Sequence, residues 1–201
     1  GRLVIATYSS ISVNWMPPII HRFQKVYPGI DISLMEGGAD DIVEWLNADI
    51  ADFAFVSHRN MESMEWIPFC EDPVLPKDYP PPASGVFPIK DFEGKCFIIS
   101  AMGTDYDIHY ALETSGVKPD MRFSATDDHT IIAMVANKLG VSILPQLMLY
   151  HFDEQVSSYL LEPYYSRDLG IAVKSKVNMS PAAVKFLEIT KQILPELLSK
   201  M

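Results

Sequence analysis

The sequence predicts a mixed α/β fold of two similar, Rossmann-like lobes that are joined by two crossover strands. Strand-like and helix-like segments alternate through the first quarter of the chain, and the same alternation restarts near residue 96. A proline-rich segment, 76–88, separates the two halves and favours an extended, stiff connection. Strands that alternate with helices form parallel sheets with right-handed crossovers, so each half predicts one lobe.

The first half predicts the order strand, helix, strand, helix, strand. Apolar residues at three- and four-residue spacing indicate a helix over 16–27, and Ser9 and Ser10 are typical N-cap residues before it. Asp40 or Asp41 is suited to cap the second helix. The strands are predicted at 3–7, 30–34 and 53–56.

The second half repeats this order and adds one more strand and helix. Gly116 ends a helix over 108–114, and Gly140 occupies the C′ position after a helix over 131–139. Ser180, followed by a proline, begins the last helix as its N-cap. The strands are predicted at 96–99, 121–125, 141–144 and 169–173.

The lobe boundaries depend on where the terminal strand and helix belong. If they return to the first half, lobe I comprises 1–72 with 163–201, and lobe II comprises 73–162. Two strands then cross between the lobes, which is a hinge architecture with a cleft. The chain starts inside a strand without an initiator methionine or a signal peptide, so we expect it to be part of a longer protein.

Composition argues against several functional classes. The net charge is −10, from 16 Lys and Arg against 26 Asp and Glu, and an acidic chain repels nucleic-acid phosphates. Two cysteines exclude a disulfide framework and a Cys-built metal site, and the five histidines show no metal-ligand spacing. No apolar run approaches the roughly 18 residues of a membrane span. Since no catalytic or nucleotide-binding motif occurs, we expect no enzyme activity, cofactor or metal.

Several short motifs occur in order along nearly the whole chain. The first half contains Tyr-Pro-Gly-Ile at 27–30, Glu-Gly-Gly at 36–38 and Ala-Asp-Phe-Ala-Phe at 51–55. The second half contains a helix–Gly–strand–Pro pattern at 133–145, and Ser-Pro-Ala-Ala at 180–183 begins the last helix. In this order and spacing, the sequence resembles the effector-binding domain of LysR-type transcriptional regulators.

The resemblance implies a type 2 periplasmic-binding-protein fold with a small-molecule effector between its lobes. It also implies a cytoplasmic protein whose winged helix-turn-helix, absent from this chain, binds DNA. It further implies homodimers through helices 16–27 and 129–138, and tetramers of the full-length protein. The sequence departs from the family at one place, because only two apolar residues precede Pro76. We therefore expect a truncated first crossover strand near 72–76, with consequences for lobe closure.

Ligands of open α/β sheets bind beyond the carboxyl ends of the strands, where helix N-termini meet. The free N–H groups and partial positive charge of these N-termini suit a small anion, and serine and threonine hydroxyls add short donors. By resemblance, members that bind small anions use hydroxyls at positions that match Ser10, Ser57 and Thr126. The predicted ligand-binding residues are Ser9, Ser10, Ser57, Ser100, Met102, Gly103, Thr126 and Asp127.

Each of these residues also has a purely structural interpretation. The hydroxyls can cap helices without touching a ligand, and Met102 can fill a gap in the core. One of Asp127 and Asp128 is expected to cap the helix that follows, whereas a carboxylate at the cleft would bind an amino or hydroxyl group. The effector is expected to be an organic acid, an amino acid or another small anion, and the residues leave that choice open.

The predicted fold is also compatible with an alternative function. A periplasmic solute-binding protein of a transporter has the same two lobes, and the segment upstream of Gly1 would distinguish it by a signal peptide in place of a helix-turn-helix. Redox sensing through Cys70 and Cys96 is less favoured, because Cys96 lies in an apolar strand and is predicted to be a buried structural thiol. The favoured function is the ligand-sensing domain of a transcription regulator.

Overall fold

Residues 70 and 167 mark the two points at which the chain passes between two units in the computed structural model. The first unit comprises Gly1–Cys70 and Asp168–Met201, and the second comprises Glu71–Arg167. The structure describes residues 1–59, 61, 63–77, 85–150, 152 and 155–200, with the backbone alone at 70–77.

Strands and helices alternate through both units, and the predicted α/β fold with two crossovers is confirmed. A short 3-10 turn, Ile89–Phe92, follows the fifth strand. In chain order the elements are β1 (Arg2–Thr7), α1 (Ser9–Asn14), α2 (Met16–Val26), β2 (Asp31–Glu36), α3 (Ala39–Asn47), β3 (Phe53–Ser57), β4 (Glu65–Lys77), β5 (Val86–Pro88), β6 (Cys96–Ser100), α4 (Tyr106–Ser115), β7 (Asp120–Ala125), α5 (Asp128–Ala136), β8 (Ser142–Pro145), α6 (Gln146–Leu149), β9 (Leu160–Glu162), β10 (Ser166–Val173) and α7 (Pro181–Leu198).

In the first unit the strands lie in the order β2-β1-β3-β10-β4. Strand β1 pairs in parallel with β2 and β3, and β10 runs antiparallel to β3. Helices α2 and α7 pack against this sheet through phenylalanines: the ring centroid of Phe186 lies 5.1 Å from that of Phe23 and 5.8 Å from that of Phe53. Because β1 and β3 are parallel neighbours, their carboxyl ends meet at one edge of the unit.

In the second unit β6 pairs in parallel with β7, and its residue Phe97 forms a parallel bridge with Val141 just before β8. Neighbouring residues of β6 point to opposite faces of the sheet. On one face Phe97 packs with Ile108 of α4, and on the other Ile98 packs with Ile131 of α5. The helices that follow β6 and β7 therefore lie on opposite faces and begin at the same edge.

The first crossover strand is longer than expected. Strand β4 runs from Glu65 to Lys77, so the prediction of a truncated strand near 72–76 is wrong. Its residues 74–77 pair antiparallel with residues 142–145 of β8. Pairing of the backbone, rather than the number of apolar side chains, determines the length of this strand. Proline is tolerated in a strand where its missing N–H is not needed by the ladder.

The left-handed residue after α5 is Lys138, so the prediction that Gly140 is the C′ glycine is wrong. Lys138 has a φ of 61°. Its N–H donates to the Val135 carbonyl at 2.8 Å, and the next N–H donates to the carbonyl five residues earlier at 3.1 Å, which is a Schellman C-cap. Gly140 allows the close approach of its backbone to β6, because a Cβ there would lie only 2.7 Å from the carbonyl oxygen of Cys96.

Other predicted helix ends are confirmed. The Ser180 hydroxyl accepts the N–H of Ala183 at 3.2 Å as the N-cap of α7, and Gly116 follows α4 with a φ of 69°. Helix α7 continues through Pro195 to Leu198. In the part of the chain that the structure describes, no helix is both long enough and apolar enough to span a membrane.

Candidate functional site

The predicted ligand-binding residues lie at the carboxyl ends of parallel strands in each unit. Ser57 is the last residue of β3, and Ser100 is the last residue of β6. Thr126 directly follows β7 and is exposed. Since parallel strands end at one edge, Ser100 and Thr126 share an edge of the second unit, just as the start of α1 and Ser57 share an edge of the first.

Two of these serines carry buried hydroxyl groups without a hydrogen-bond partner. Ser57 is 1% exposed and Ser100 is 2% exposed, and neither Oγ has a hydrogen-bond partner among the described residues. Ser142 offers a contrast in the second unit, because its equally buried Oγ donates to the Ile98 carbonyl at 2.7 Å. A buried polar group without a partner costs about 1–3 kcal/mol and needs an explanation. A ligand that accepts a hydrogen bond at each strand end supplies one.

Ser9 and Ser10 do not cap a helix, so that part of the prediction is wrong. The N-cap of α1 is Tyr8, and both serines already lie inside the first turn, because the helix begins directly after β1. Ser10 is 1% exposed, and its carbonyl accepts the Asn14 side-chain amide at 2.7 Å. Sequence reasoning missed Ser12, whose hydroxyl donates to a Glu36 carboxylate oxygen at 2.6 Å.

Asp127 is the N-cap of α5, as predicted for one of the two neighbouring aspartates. Its carboxylate accepts the Thr130 N–H at 2.9 Å and the Thr130 hydroxyl at 2.8 Å. Partial burial alone would raise the pKa of this carboxyl, but the hydrogen bonds from Thr130 and the backbone hold it below its ordinary value. One Asp127 oxygen is thus committed to holding the helix, which limits what this side chain offers to a ligand.

Met102 and Gly103 form the exposed turn after β6. The Thr104 N–H donates to the Ala101 carbonyl at 3.1 Å, and Gly103 has a φ of 83°, as position i+2 of a type II turn requires. Met102 is 72% exposed, so the alternative that it fills a gap in the core is wrong. Its side chain lies at the surface beside the carboxyl end of β6.

His109 fixes the end of β6 against α4. Its Nε2 lies 2.8 Å from the carbonyl oxygen of Ser100. Because a carbonyl oxygen only accepts, Nε2 carries the hydrogen in this contact. The backbone of Ser100 is therefore anchored while its hydroxyl stays without a partner. No sequence signal links His109 to Ser100.

The second unit also holds a group of charged side chains that sequence reasoning missed. Asp105, the N-cap of α4, is 8% exposed and Arg167 of β10 is 2% exposed. Burial and the charge of Asp107 raise the pKa of Asp105 to about 6, against the opposing effect of Arg167. Burial and the charge of Asp105 raise the pKa of Asp128, the first residue of α5, to about 7, again against Arg167.

Metal or redox chemistry gains no support from the described residues. Among them no group of three His, Cys, Asp or Glu side chains is placed to hold a metal ion. Cys96 is half-buried, and its thiol donates to the Leu139 carbonyl at 3.1 Å. The prediction of a buried thiol is wrong, because Cys96 is the first residue of β6 and is only half-buried. The side chain of Cys70 lies outside the described residues.

A separate cavity of about 430 Å³ lies in the first unit, near the amino end of β3. Charged groups in its lining are paired with each other: the Lys174 ammonium donates to both Asp49 carboxylate oxygens at 2.8 Å and to the Asn47 carbonyl at 3.0 Å. The Asp52 carboxylate accepts the Val4 N–H at 2.7 Å. These groups tie α3 and the strands together, so we assign the cavity no ligand.

The chain is similar to known proteins over almost its full length. A family model described as the LysR substrate binding domain matches residues 1–195. YvbU of Bacillus subtilis (strain 168), an uncharacterized HTH-type transcriptional regulator, is 28% identical over 198 residues, which cover 96% of this chain and 68% of that protein.

Solved structures share the fold. The CcmR regulatory domain of Synechocystis PCC6803 in complex with 2-PG has a TM-score of 0.87 at 20% identity, over 96% of this chain and 97% of that one. The effector binding domain of QuiR in complex with shikimate has a TM-score of 0.83 at 18% identity, over 98% of each chain. At these identities the structures establish the architecture, and the strand-end residues must be argued from this chain's own geometry.

Proposed function

We propose that this chain, which belongs to the LysR substrate-binding domain family, senses its effector through the hydroxyl groups at the carboxyl ends of β3 and β6. It is the effector-binding domain of a LysR-type transcriptional regulator. The observation that carries the proposal is the pair of buried, unpartnered hydroxyls of Ser57 and Ser100. The match to regulators does not favour the alternative of a transporter's solute-binding protein.

The proposed effector is a small organic acid, amino acid or other small anion. A carboxylate or similar oxyanion accepts hydrogen bonds from hydroxyls and from the free N–H groups of helix starts, and both kinds of donor lie at these strand ends. The 2-PG and shikimate complexes of CcmR and QuiR support a small molecule of this size class. Besides the two serines, the proposed set comprises Ser9, Ser10, Met102, Gly103, Thr126 and Asp127.

A thermal-shift screen of the purified chain against organic acids, amino acids, 2-PG and shikimate tests this function. A ligand at about 100 times its Kd adds about 2.7 kcal/mol to the free energy of unfolding. We expect Ser57→Ala and Ser100→Ala to remove the shift, while the matched variant Ser142→Ala keeps it because that hydroxyl is already bonded inside the unit. A shift that survives both Ser57→Ala and Ser100→Ala would contradict the proposed residues.

We also propose that the domain forms homodimers through α2 and α5. Helix α2 exposes Val26, and Met134 of α5 is half-buried. In the second unit, β7 pairs with β6 alone among the described strands and exposes Met121 and Phe123, and we include it in the proposed surface. Exposed apolar side chains on a strand edge favour association with another chain.

Sedimentation velocity tests the dimer. We expect the chain to sediment as a dimer and Phe123→Glu to give monomers, because a charge on β7 opposes burial of this edge. Val177→Glu is the matched control, since Val177 is 90% exposed and lies outside the proposed surface. A wild-type monomer, or a dimer that persists in Phe123→Glu, would contradict the proposal. Tetramers are proposed for the full-length regulator only.

The family also supports proposals for DNA binding and for cellular location. LysR-type regulators contact DNA through an N-terminal domain, and the net charge of −10 fits a chain that leaves this task to another segment. We propose a cytoplasmic regulator without catalytic activity, because it has to reach DNA and because its site offers hydroxyl donors for binding. A gel-shift experiment with residues 1–201 alone should show no retardation of DNA that the full-length regulator binds.

A further inference from the structure

His109 of α4 bonds to the backbone of Ser100, the last residue of β6. Its Nε2 lies 2.8 Å from the Ser100 carbonyl oxygen and carries the hydrogen, because a carbonyl oxygen only accepts. The next N–H along the chain, that of Ala101, donates to the Ala125 carbonyl at 2.9 Å. A peptide unit is planar, so these two bonds fix the unit that joins Ser100 to Ala101 on both of its polar sides. The Cα from which the Ser100 side chain leaves is thereby held at the end of β6.

The helix that carries His109 is itself firmly placed. Helix α4 begins at Asp105, whose Oδ1 accepts the Asp107 N–H at 2.9 Å and the Ile108 N–H at 3.4 Å. Ile108, one residue before His109, is 1% exposed and belongs to the same core cluster as Phe97 of β6. Because apolar side chains pack this helix against β6, the half-buried imidazole cannot leave the strand without disturbing that core.

The Ser100 hydroxyl is buried in a position where it gains no hydrogen bond from the described residues. Ser100 is 2% exposed, and its Oγ has no hydrogen-bond partner among them. A serine that is free to move avoids such a position, because its hydroxyl can turn to a backbone carbonyl or to water. Ser142 of the same unit is equally buried, and its hydroxyl donates to the Ile98 carbonyl at 2.7 Å. A specific contact therefore has to keep Ser100 in place.

We propose that His109 is a positioning residue of the effector site, which keeps the Ser100 hydroxyl unbonded at the end of β6. This inference rests on the proposed function and adds to it the group that maintains the free donor. Without the bond from His109, the end of β6 relaxes until the hydroxyl finds a partner. With the bond, an effector meets a donor whose backbone is already ordered, so binding costs less conformational entropy.

The bond depends on the donor atom of His109 and not on its charge. Both the neutral Nε2–H tautomer and the imidazolium donate from Nε2, so protonation does not release Ser100. A different side chain that places an N–H at the same reach can therefore replace the histidine. Glutamine does so, because its Nε2 lies four bonds from Cα, as does the Nε2 of histidine.

A double-mutant cycle on the chain without effector measures the coupling between the two residues. With His109 in place, Ser100→Ala should raise the Tm by about 2–4 °C, because it removes the unpartnered hydroxyl. In the His109→Leu background the same substitution should change the Tm by less than about 1 °C, since the hydroxyl has already found a partner there. In the His109→Gln background most of the rise should return.

Ser142→Ala is the matched control in all three backgrounds. It should lower the Tm by the same amount in each, because the bond from Ser142 to the Ile98 carbonyl does not involve His109. If Ser100→Ala raises the Tm equally in the native and His109→Leu chains, His109 does not hold the hydroxyl and this inference alone is wrong. If Ser100→Ala gives no rise in the native chain, the observation that carries the proposed function fails as well.

A long-range proton–nitrogen NMR spectrum of the unmodified chain provides a second readout, which does not require a destabilised variant. At pH 8 the His109 ring should carry its hydrogen on Nε2, and its signals are assigned by their loss in His109→Gln. A purely structural role in packing α4 would leave the choice of tautomer open. A hydrogen on Nδ1 would contradict the bond to the Ser100 carbonyl and overturn the proposal.

Discussion

Replacing Ser100 by alanine should stabilise the effector-free domain, although the same change should abolish effector binding. Ser100 is 2% exposed, and its hydroxyl has no hydrogen-bond partner among the described residues. Folding therefore removes this hydroxyl from bulk water without giving it a protein partner in that part of the chain. Alanine keeps the Cβ and removes the buried hydroxyl, and with it the free-energy cost of taking that hydroxyl out of water.

The expected size of the effect follows from the comparison with Ser142. A buried hydroxyl without a partner costs about 1–3 kcal/mol, so removing it should stabilise the domain by about 1 kcal/mol after the small loss of packing. Ser142 is 1% exposed and donates to the Ile98 carbonyl at 2.7 Å, so Ser142→Ala should destabilise by about 1 kcal/mol. The two variants should differ by about 2 kcal/mol, or about 4–8 °C in Tm for a chain of this size.

Urea unfolding followed by circular dichroism, together with calorimetry, checks both variants under the same buffer without ligand. Since both substitutions replace a buried strand serine by alanine in the same unit, the change in side-chain entropy is the same in both variants and cancels in the comparison. If Ser100→Ala destabilises as much as Ser142→Ala, the Ser100 hydroxyl has a partner in the folded protein. The argument for a ligand at this strand end would then fail.

Substitutions at three further positions test the fold. Lys138→Gly should raise stability by about 1 kcal/mol in urea unfolding, because the φ of 61° strains a side-chain-bearing residue and suits glycine. Gly140→Ala should lower the free energy of unfolding by about 1–3 kcal/mol, since the new Cβ would lie 2.7 Å from the Cys96 carbonyl oxygen. An unchanged free energy of unfolding would show that β6 can shift to make room for the methyl group. Ser180→Ala should cost about 1 kcal/mol by removing the acceptor for the Ala183 N–H, whereas Ser180→Asn should restore most of it.

Local signals predicted the parts of the fold that depend on neighbours in the sequence. Ser180 caps α7 through an N–H three residues further on, and Gly116 ends α4 through its own backbone conformation. The positions of Ser57 and Ser100 at strand ends were predicted on similar grounds, because each comes at the end of an apolar run. Their role in binding stays a prediction, based on the rule that ligands bind at the carboxyl ends of parallel strands.

Contacts between distant segments escaped prediction. Gly140 has the spacing of a C′ glycine, yet its size is set by the carbonyl of Cys96 in another strand, and Lys138 takes the left-handed position instead. The charge of Arg167 in β10 lowers the pKa of both Asp105 and Asp128, and no spacing rule in the sequence connects these three residues. Tertiary packing decides such positions, so they become visible only in three dimensions.

The contrast between Ser100 and Ser142 also supports the proposed effector site. Both are buried serines of the second unit, and a fold selected for stability alone would satisfy both hydroxyls or replace one by alanine. The Ser142 hydroxyl is hydrogen-bonded inside the unit, whereas the Ser57 and Ser100 hydroxyls, at strand ends, have no partner among the described residues. A ligand that accepts hydrogen bonds from these hydroxyls stabilises the arrangement of the domain in which it can reach them. It does not stabilise an arrangement in which it cannot reach them. This difference in affinity is what any ligand needs to shift one arrangement of a regulatory domain toward another.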